Sequence, residues 1–128
     1  MKPTLRALLL CLALLLCLTP ALVACKSASD DLVEGTYVCK SINSMDGAYV
    51  VKLYQLEEAE GKDVVACRLI MHKTSDGSVV DHVDFAVNLG GANATVRTMD
   101  KAAWNSEQAD ITIIDADGNK TVYTFKLP

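Results

Sequence analysis

Val64-Val65-Ala66-Cys67-Arg68-Leu69-Ile70-Met71-His72-Lys73, then Thr74-Ser75-Asp76-Gly77-Ser78, then Val79-Val80-Asp81-His82-Val83-Asp84-Phe85-Ala86-Val87-Asn88, is the stretch that decides the fold. Apolar residues recur every second position on both sides of the turn, which is the period of a strand with one face buried. Glycine after aspartate supplies the positive φ that a tight hairpin requires. A two-residue loop on Asp76-Gly77 would set each strand's apolar face against the polar face of the other. A three-residue loop, Ser75-Asp76-Gly77, pairs Leu69 with Val83 and Cys67 with Phe85, and it is the register expected. That register also sets Arg68 opposite Asp84 on the outer face, as a cross-strand ion pair.

Working outward, the same alternation covers residues 36–43, 48–56, 94–99, 110–115 and 120–127, beside 64–73 and 79–88 in the hairpin just described. Asp46-Gly47 and Asp117-Gly118 mark two more turns, and the last hairpin sets Ile111 and Ile113 against Tyr123 and Thr121. The sequence therefore predicts an all-β domain over residues 35–128, a small antiparallel meander of about seven strands, closed as a barrel or folded as a sandwich. Residues 100–109 read two ways, as one helical turn capped by Asp100 or as an irregular strand carrying Trp104 to the core. Gly35-Thr36-Tyr37 at the first strand and the final strand-Asp-Gly-strand hairpin are similar to the small lipocalin-like domains of bacterial lipoproteins. Those domains open with Gly-x-Trp, where Tyr37 stands here, and the resemblance implies an up-and-down barrel whose interior holds an apolar ligand.

The first 24 residues belong to a different kind of segment. Lys2 and Arg6 precede an unbroken apolar run over residues 7–18, and Thr19-Pro20 then interrupts it, the pattern of an export signal. Leu22-Val23-Ala24-Cys25 resembles the lipobox of bacterial lipoprotein signal peptides. The resemblance implies that Cys25 receives a diacylglyceryl group and becomes the mature N-terminus once residues 1–24 are removed. Two other readings stand beside it. Residues 7–24 as a helix would span roughly 27 Å, just enough for a retained anchor, and Thr19-Pro20-Ala21 is a site for ordinary signal peptidase. Each buried methylene is worth about 0.8 kcal/mol, so two or three acyl chains on Cys25 would hold the protein to a membrane. Residues 25–34 then read as the lipidated N-terminus and a polar spacer, placing the domain in the cell envelope, facing away from the cytoplasm. Lys26 after Cys25 permits an outer-membrane destination where the host has one.

With Lys2 and Arg6 set aside, ten cations face sixteen acidic residues, and the net charge of the remainder is −6 rather than −4. A nucleic-acid or anionic-lipid partner held by charge is not expected on that balance. Cys39 and Cys67 remain once Cys11 and Cys17 leave with the leader and Cys25 carries lipid. They form either a disulfide, as an oxidising compartment favours, or two buried thiols. If the first three strands are neighbours, Leu53 faces both cysteines, which then lie about 9 to 10 Å apart, beyond the roughly 7 Å that a disulfide spans.

His72, His82 and Asp84, with Asp81 nearby, are the residues whose chemistry suits zinc or copper. Arg68 competes for Asp84, and solvated histidines on a strand face explain the group as well. Asp115-Ala116-Asp117-Gly118-Asn119 has the wrong spacing for a calcium loop, and a hairpin turn accounts for it. No nucleophile-base pairing or phosphate loop is present, so neither an enzyme nor a cofactor is expected. The function expected is a non-enzymatic binding module for an apolar ligand, or alternatively a protein-interaction module of the envelope, with Ile70 or Tyr54 in an exposed patch as its sign.

Overall fold

The computed structural model describes residues 33–128. The export signal, the lipobox and Cys25 lie outside the described residues, as does most of the spacer. Among the described residues there are seven strands and no helix: β1 (Thr36–Ile42), β2 (Tyr49–Gln55), β3 (Val64–Lys73), β4 (Val79–Asn88), β5 (Met99–Trp104), β6 (Gln108–Ile114) and β7 (Lys120–Lys126). All neighbours are antiparallel. They form two sheets, β1-β2-β3-β4 and β5-β6-β7.

The turns form where the sequence places glycine after aspartate. Gly47, Gly77 and Gly118 have φ of 70°, 71° and 85°, and in each turn an aspartate carboxylate caps a nearby amide: Asp46 takes the Ala48 N–H, Asp76 that of Ser78, and Asp115 those of Asp117 and Asn119. The β3–β4 register is the one the alternation requires, with Leu69 opposite Val83, Cys67 opposite Phe85 and Arg68 opposite Asp84. In the last hairpin Ile111 meets Tyr123 and Ile113 meets Thr121.

The apolar faces of the two sheets bury one another. Val51 and Leu53 of β2, Val65, Cys67, Leu69 and Met71 of β3, and Val87 of β4 share one cluster with Ala109, Ile111 and Ile113 of β6 and Phe125 of β7. Fully burying a side chain of this size contributes about 1.5–3 kcal/mol, so the cluster is the main source of stability.

A closed, lipocalin-like barrel is not what forms. No ladder joins the four-stranded sheet to the three-stranded one, and their flanks meet mainly through side chains. The Phe85 and Tyr123 rings stack at 4.8 Å, and Trp104 Nε1 donates to Ser41 Oγ at 3.0 Å. The interior is filled, Phe125, Leu53, Leu69, Met71 and Ile111 among others being fully buried.

The connection between the sheets explains the open architecture. Residues 94–98 do not extend into a strand; they run into a turn closed by Thr98 N–H to Thr95 O at 2.9 Å. At the start of this stretch Gln55 of β2 holds the chain, its Oε1 taking the Ala94 N–H and its Nε2 donating to Asn93 Oδ1, and at its end the Thr98 carbonyl takes the Ile114 N–H of β6. The strand begins at Met99 instead, so residues 99–104 carry Trp104 inward as a strand and not as a helical turn.

Cys39 and Cys67 are two free thiols. β2 runs between their strands. Leu53 faces Cys39 on one side but Leu69 on the other, while Cys67 faces Gln55, two residues further along than expected. The wide β2–β3 connection sets that offset: Leu56 N–H bonds Ala66 O, Glu57 Oε1 takes the Ala66 N–H at 3.0 Å, and Ala59 is buried beneath.

Candidate functional site

A groove of about 510 Å³ lies where residues 36–38 of β1 and Gln55 of β2 face residues 93–96. Three local features build it. Gly35, with φ at 119°, lets the chain pass Gln55 so closely that a Cβ there would stand 2.6 Å from the Gln55 carbonyl oxygen. β1 then bulges between Tyr37 and Cys39, releasing the strand's edge from regular pairing. Gln55, only 6% exposed, pins the opposite wall through Asn93 and Ala94 and also donates to Glu57 O at 2.8 Å.

The groove's apolar elements are left in water. Tyr37 is 51% and Val96 67% exposed. Tyr37 meets Tyr54 edge-on, with ring centroids 5.9 Å apart, and burial together with the neighbouring Tyr37 raises the Tyr54 phenol above its ordinary range. The Tyr54 hydroxyl therefore stays neutral at physiological pH. Glu58 and Asn93 supply polar groups at the rim. An arrangement of this kind offers an aromatic platform, one aliphatic side chain and amide and carboxylate partners.

The residues picked for metal chemistry do not assemble. His82 is exposed opposite Ile70, while His72 is buried and turns Nδ1 to the Gly77 carbonyl oxygen at 3.0 Å. Asp84 is held by Arg68, with Nε to Oδ1 at 2.6 Å and Nη2 to Oδ2 at 2.9 Å. The guanidinium keeps the Asp84 carboxyl below the usual carboxylate range, and the carboxylate raises Arg68 in turn. Among the described residues no three metal-ligating side chains converge.

The cysteines face inward. Burial raises the half-buried Cys39 thiol and pushes Cys67 up to about 11, so both remain protonated and weakly nucleophilic at neutral pH. Asp115 spends its carboxylate on its own turn. Of the residues expected in an exposed patch, Ile70 and Tyr54 are both buried, and Tyr37 is the exposed member of that face.

Sequence reasoning missed the groove because its key residue, Gln55, looks like one more polar position at a strand end. The available signal was a glutamine on the inner-facing parity of β2, in line with Val51 and Leu53. A buried amide demands partners, and the loop supplies them. No protein family, curated protein or solved structure matches the chain.

Proposed function

We propose that this chain is a lipid-anchored lipoprotein of the cell envelope, held to the membrane through Cys25, whose β domain is a non-enzymatic module that binds an envelope protein. The lipobox-like Leu22-Val23-Ala24-Cys25 behind an apolar leader supports the address. The observation that carries the binding reading is the open groove beside β1, with Tyr37 and Val96 exposed and the wall held by Gln55. A filled interior leaves the surface as the place for recognition. An external trough with an aromatic platform suits an apolar side chain presented on a partner's chain. A small apolar ligand lying in the same trough is the second reading, favoured by the apolar contact that Tyr37 and Val38 offer.

Two measurements test the proposal. Intact mass of the membrane fraction should give a chain beginning at Cys25 with a diacylglyceryl adduct, and Cys25→Ser should leave the membrane fraction. A retained leader or unmodified Cys25 refutes the anchor. A photo-crosslinker at Thr95 in living cells should capture a discrete envelope protein, lost in Tyr37→Ser/Val96→Asp. A crosslink insensitive to that pair, or none at all, refutes the groove as the binding surface.

A further inference from the structure

The outer face of the four-stranded sheet carries a second concavity at the other end of β1 from the groove, a cavity of about 190 Å³ lined by Lys40, Ile42, Val50, Lys52, His72 and Lys73. Register explains how they meet. Lys40 pairs with Lys52 and Ile42 with Val50 across β1 and β2, and Val50 pairs with His72 across β2 and β3. All of these point to the same face of the sheet, and Lys73 follows at the hairpin end.

Three cations converge in a domain whose overall balance is acidic. Among the described residues, ion pairs are made by Lys62, Arg68 and Lys120, and none by Lys40, Lys52 or Lys73. The aspartates of the two adjoining turns are engaged with turn amides, Asp46 with Ala48 and Asp76 with Ser78. Asp76 also lies within electrostatic reach of Lys73. The floor is apolar, through Ile42 and Val50.

His72 supplies the decisive atom. It is 5% exposed, and its Nε2 is buried without a hydrogen-bond partner, so a ligand in the cavity reaches it only as the side chains covering it move aside. A carbonyl oxygen only accepts, so the contact of Nδ1 with Gly77 O requires the proton on Nδ1. In the neutral ring Nε2 is then an acceptor that lacks a donor. Buried polar atoms in folded proteins are normally satisfied. The group that satisfies both halves of the site carries anionic oxygens for the ammonium groups and an O–H for Nε2.

We propose that this cavity binds a phosphate monoester in its monoanionic form, P–O⁻ oxygens accepting from Lys40, Lys52 and Lys73 and the P–OH donating to His72 Nε2. A phosphate ester keeps that proton for part of its population near neutral pH, its second pKa being about 6. Sulfate has no O–H to donate. The carbon portion of the ester lies on Ile42 and Val50. The phosphate comes from a soluble metabolite or from a lipid headgroup, and the experiment separates the two. The assignment is independent of the groove and its partner.

The test follows the His72 and His82 ring resonances of the full chain in neutral detergent during titration with glycerol phosphate, inorganic phosphate and sulfate. A parallel series places the chain in phosphatidylcholine vesicles with or without phosphatidic acid. Saturable movement of His72, with the exposed His82 still, is expected with a phosphate and more weakly with sulfate. Lys40→Gln/Lys52→Gln should weaken it by about tenfold or more, two charge-assisted bonds being lost, and both substitutions lie at positions outside the core. Response to the soluble phosphates assigns a soluble ligand, and response only to phosphatidic acid assigns a headgroup. The proposal is overturned if no phosphate moves His72, if sulfate matches phosphate, if His82 moves equally, or if the double variant binds as tightly.

Discussion

The two faces of β3 are built from the same ten residues and obey different rules. Val65, Cys67, Leu69 and Met71 look inward, all fully buried against apolar residues of the opposite sheet. Arg68, Ile70 and His72 look outward, and although Ile70 and His72 are also buried, neither belongs to the core cluster. Ile70 is flanked by Lys52 and His82 and His72 by Val50 and Val79. The inner face is specified by volume, the outer one by polar pairing over a few apolar side chains. Burial alone therefore does not say what a residue is for.

The largest effect expected is the one that separates the faces by substitution at adjacent positions. Leu69→Ala leaves a cavity between two sheets that are both rigid, and should cost about 3–5 kcal/mol in urea unfolding. Ile70→Ala removes nearly the same volume among long, adjustable side chains that can settle into the space, and should cost about 2 kcal/mol, the low end for such changes. Equal losses would show that the outer face is a second core, and the comparison would break.

Cys67 sharpens the inner half. Cys67→Ser puts a hydroxyl where the thiol is fully buried, and an unpaired buried hydroxyl costs about 1–3 kcal/mol. The half-buried Cys39 should tolerate the same change with a smaller loss. Alkylation followed by mass spectrometry checks the pair without mutation. Cys39 should react slowly with iodoacetamide at pH 7.5, and Cys67, with its thiol pushed up to about 11, only as the domain unfolds. Fast labelling of Cys67 in the folded chain would contradict the packed interior.

These contrasts also mark how far the sequence could be read. Inner-face register was legible because a slip by one residue would turn every apolar side chain of 64–73 and 79–88 to the wrong side, and Leu69 opposite Val83 is the outcome. Two-sheet closure was left open between barrel and sandwich, since alternation reports which side is buried and not against what. Residues 94–98 carry the alternation of a strand yet form a turn, because the Ala94 N–H goes to the Gln55 side chain and the Thr98 N–H to the turn's own carbonyl, and a ladder bond to β6 is made only at Thr98 O. The offset that moved Cys67 from Leu53 to Gln55 sits in the β2–β3 connection, where Glu57 folds back onto Ala66. His72 was legible as a histidine on the outer face. Its fixed tautomer and unpartnered Nε2 needed the Gly77 carbonyl in place.

The smallest effect expected belongs to the outer face's own polar pair, and it has a definite sign with pH. Arg68 is mostly covered while the Asp84 carboxylate is about half exposed, so the solvent screens the pair and its contribution is about 0.2–1 kcal/mol despite two hydrogen bonds. Hydrogen bonding from Arg68 lowers the folded pKa of Asp84 below its unfolded value. A depressed carboxylate pKa stabilises the fold above the unfolded value of about 3.9, and the contribution fades as pH falls through the folded one. Asp84→Asn should therefore unfold slightly earlier than the parent chain in urea at pH 7, with the difference closing below about pH 4 and shrinking in high salt. A gap that persists at low pH would mean that Asp84 acts through shape or neutral hydrogen bonding. The outer face would then be governed by packing after all, as the inner face is.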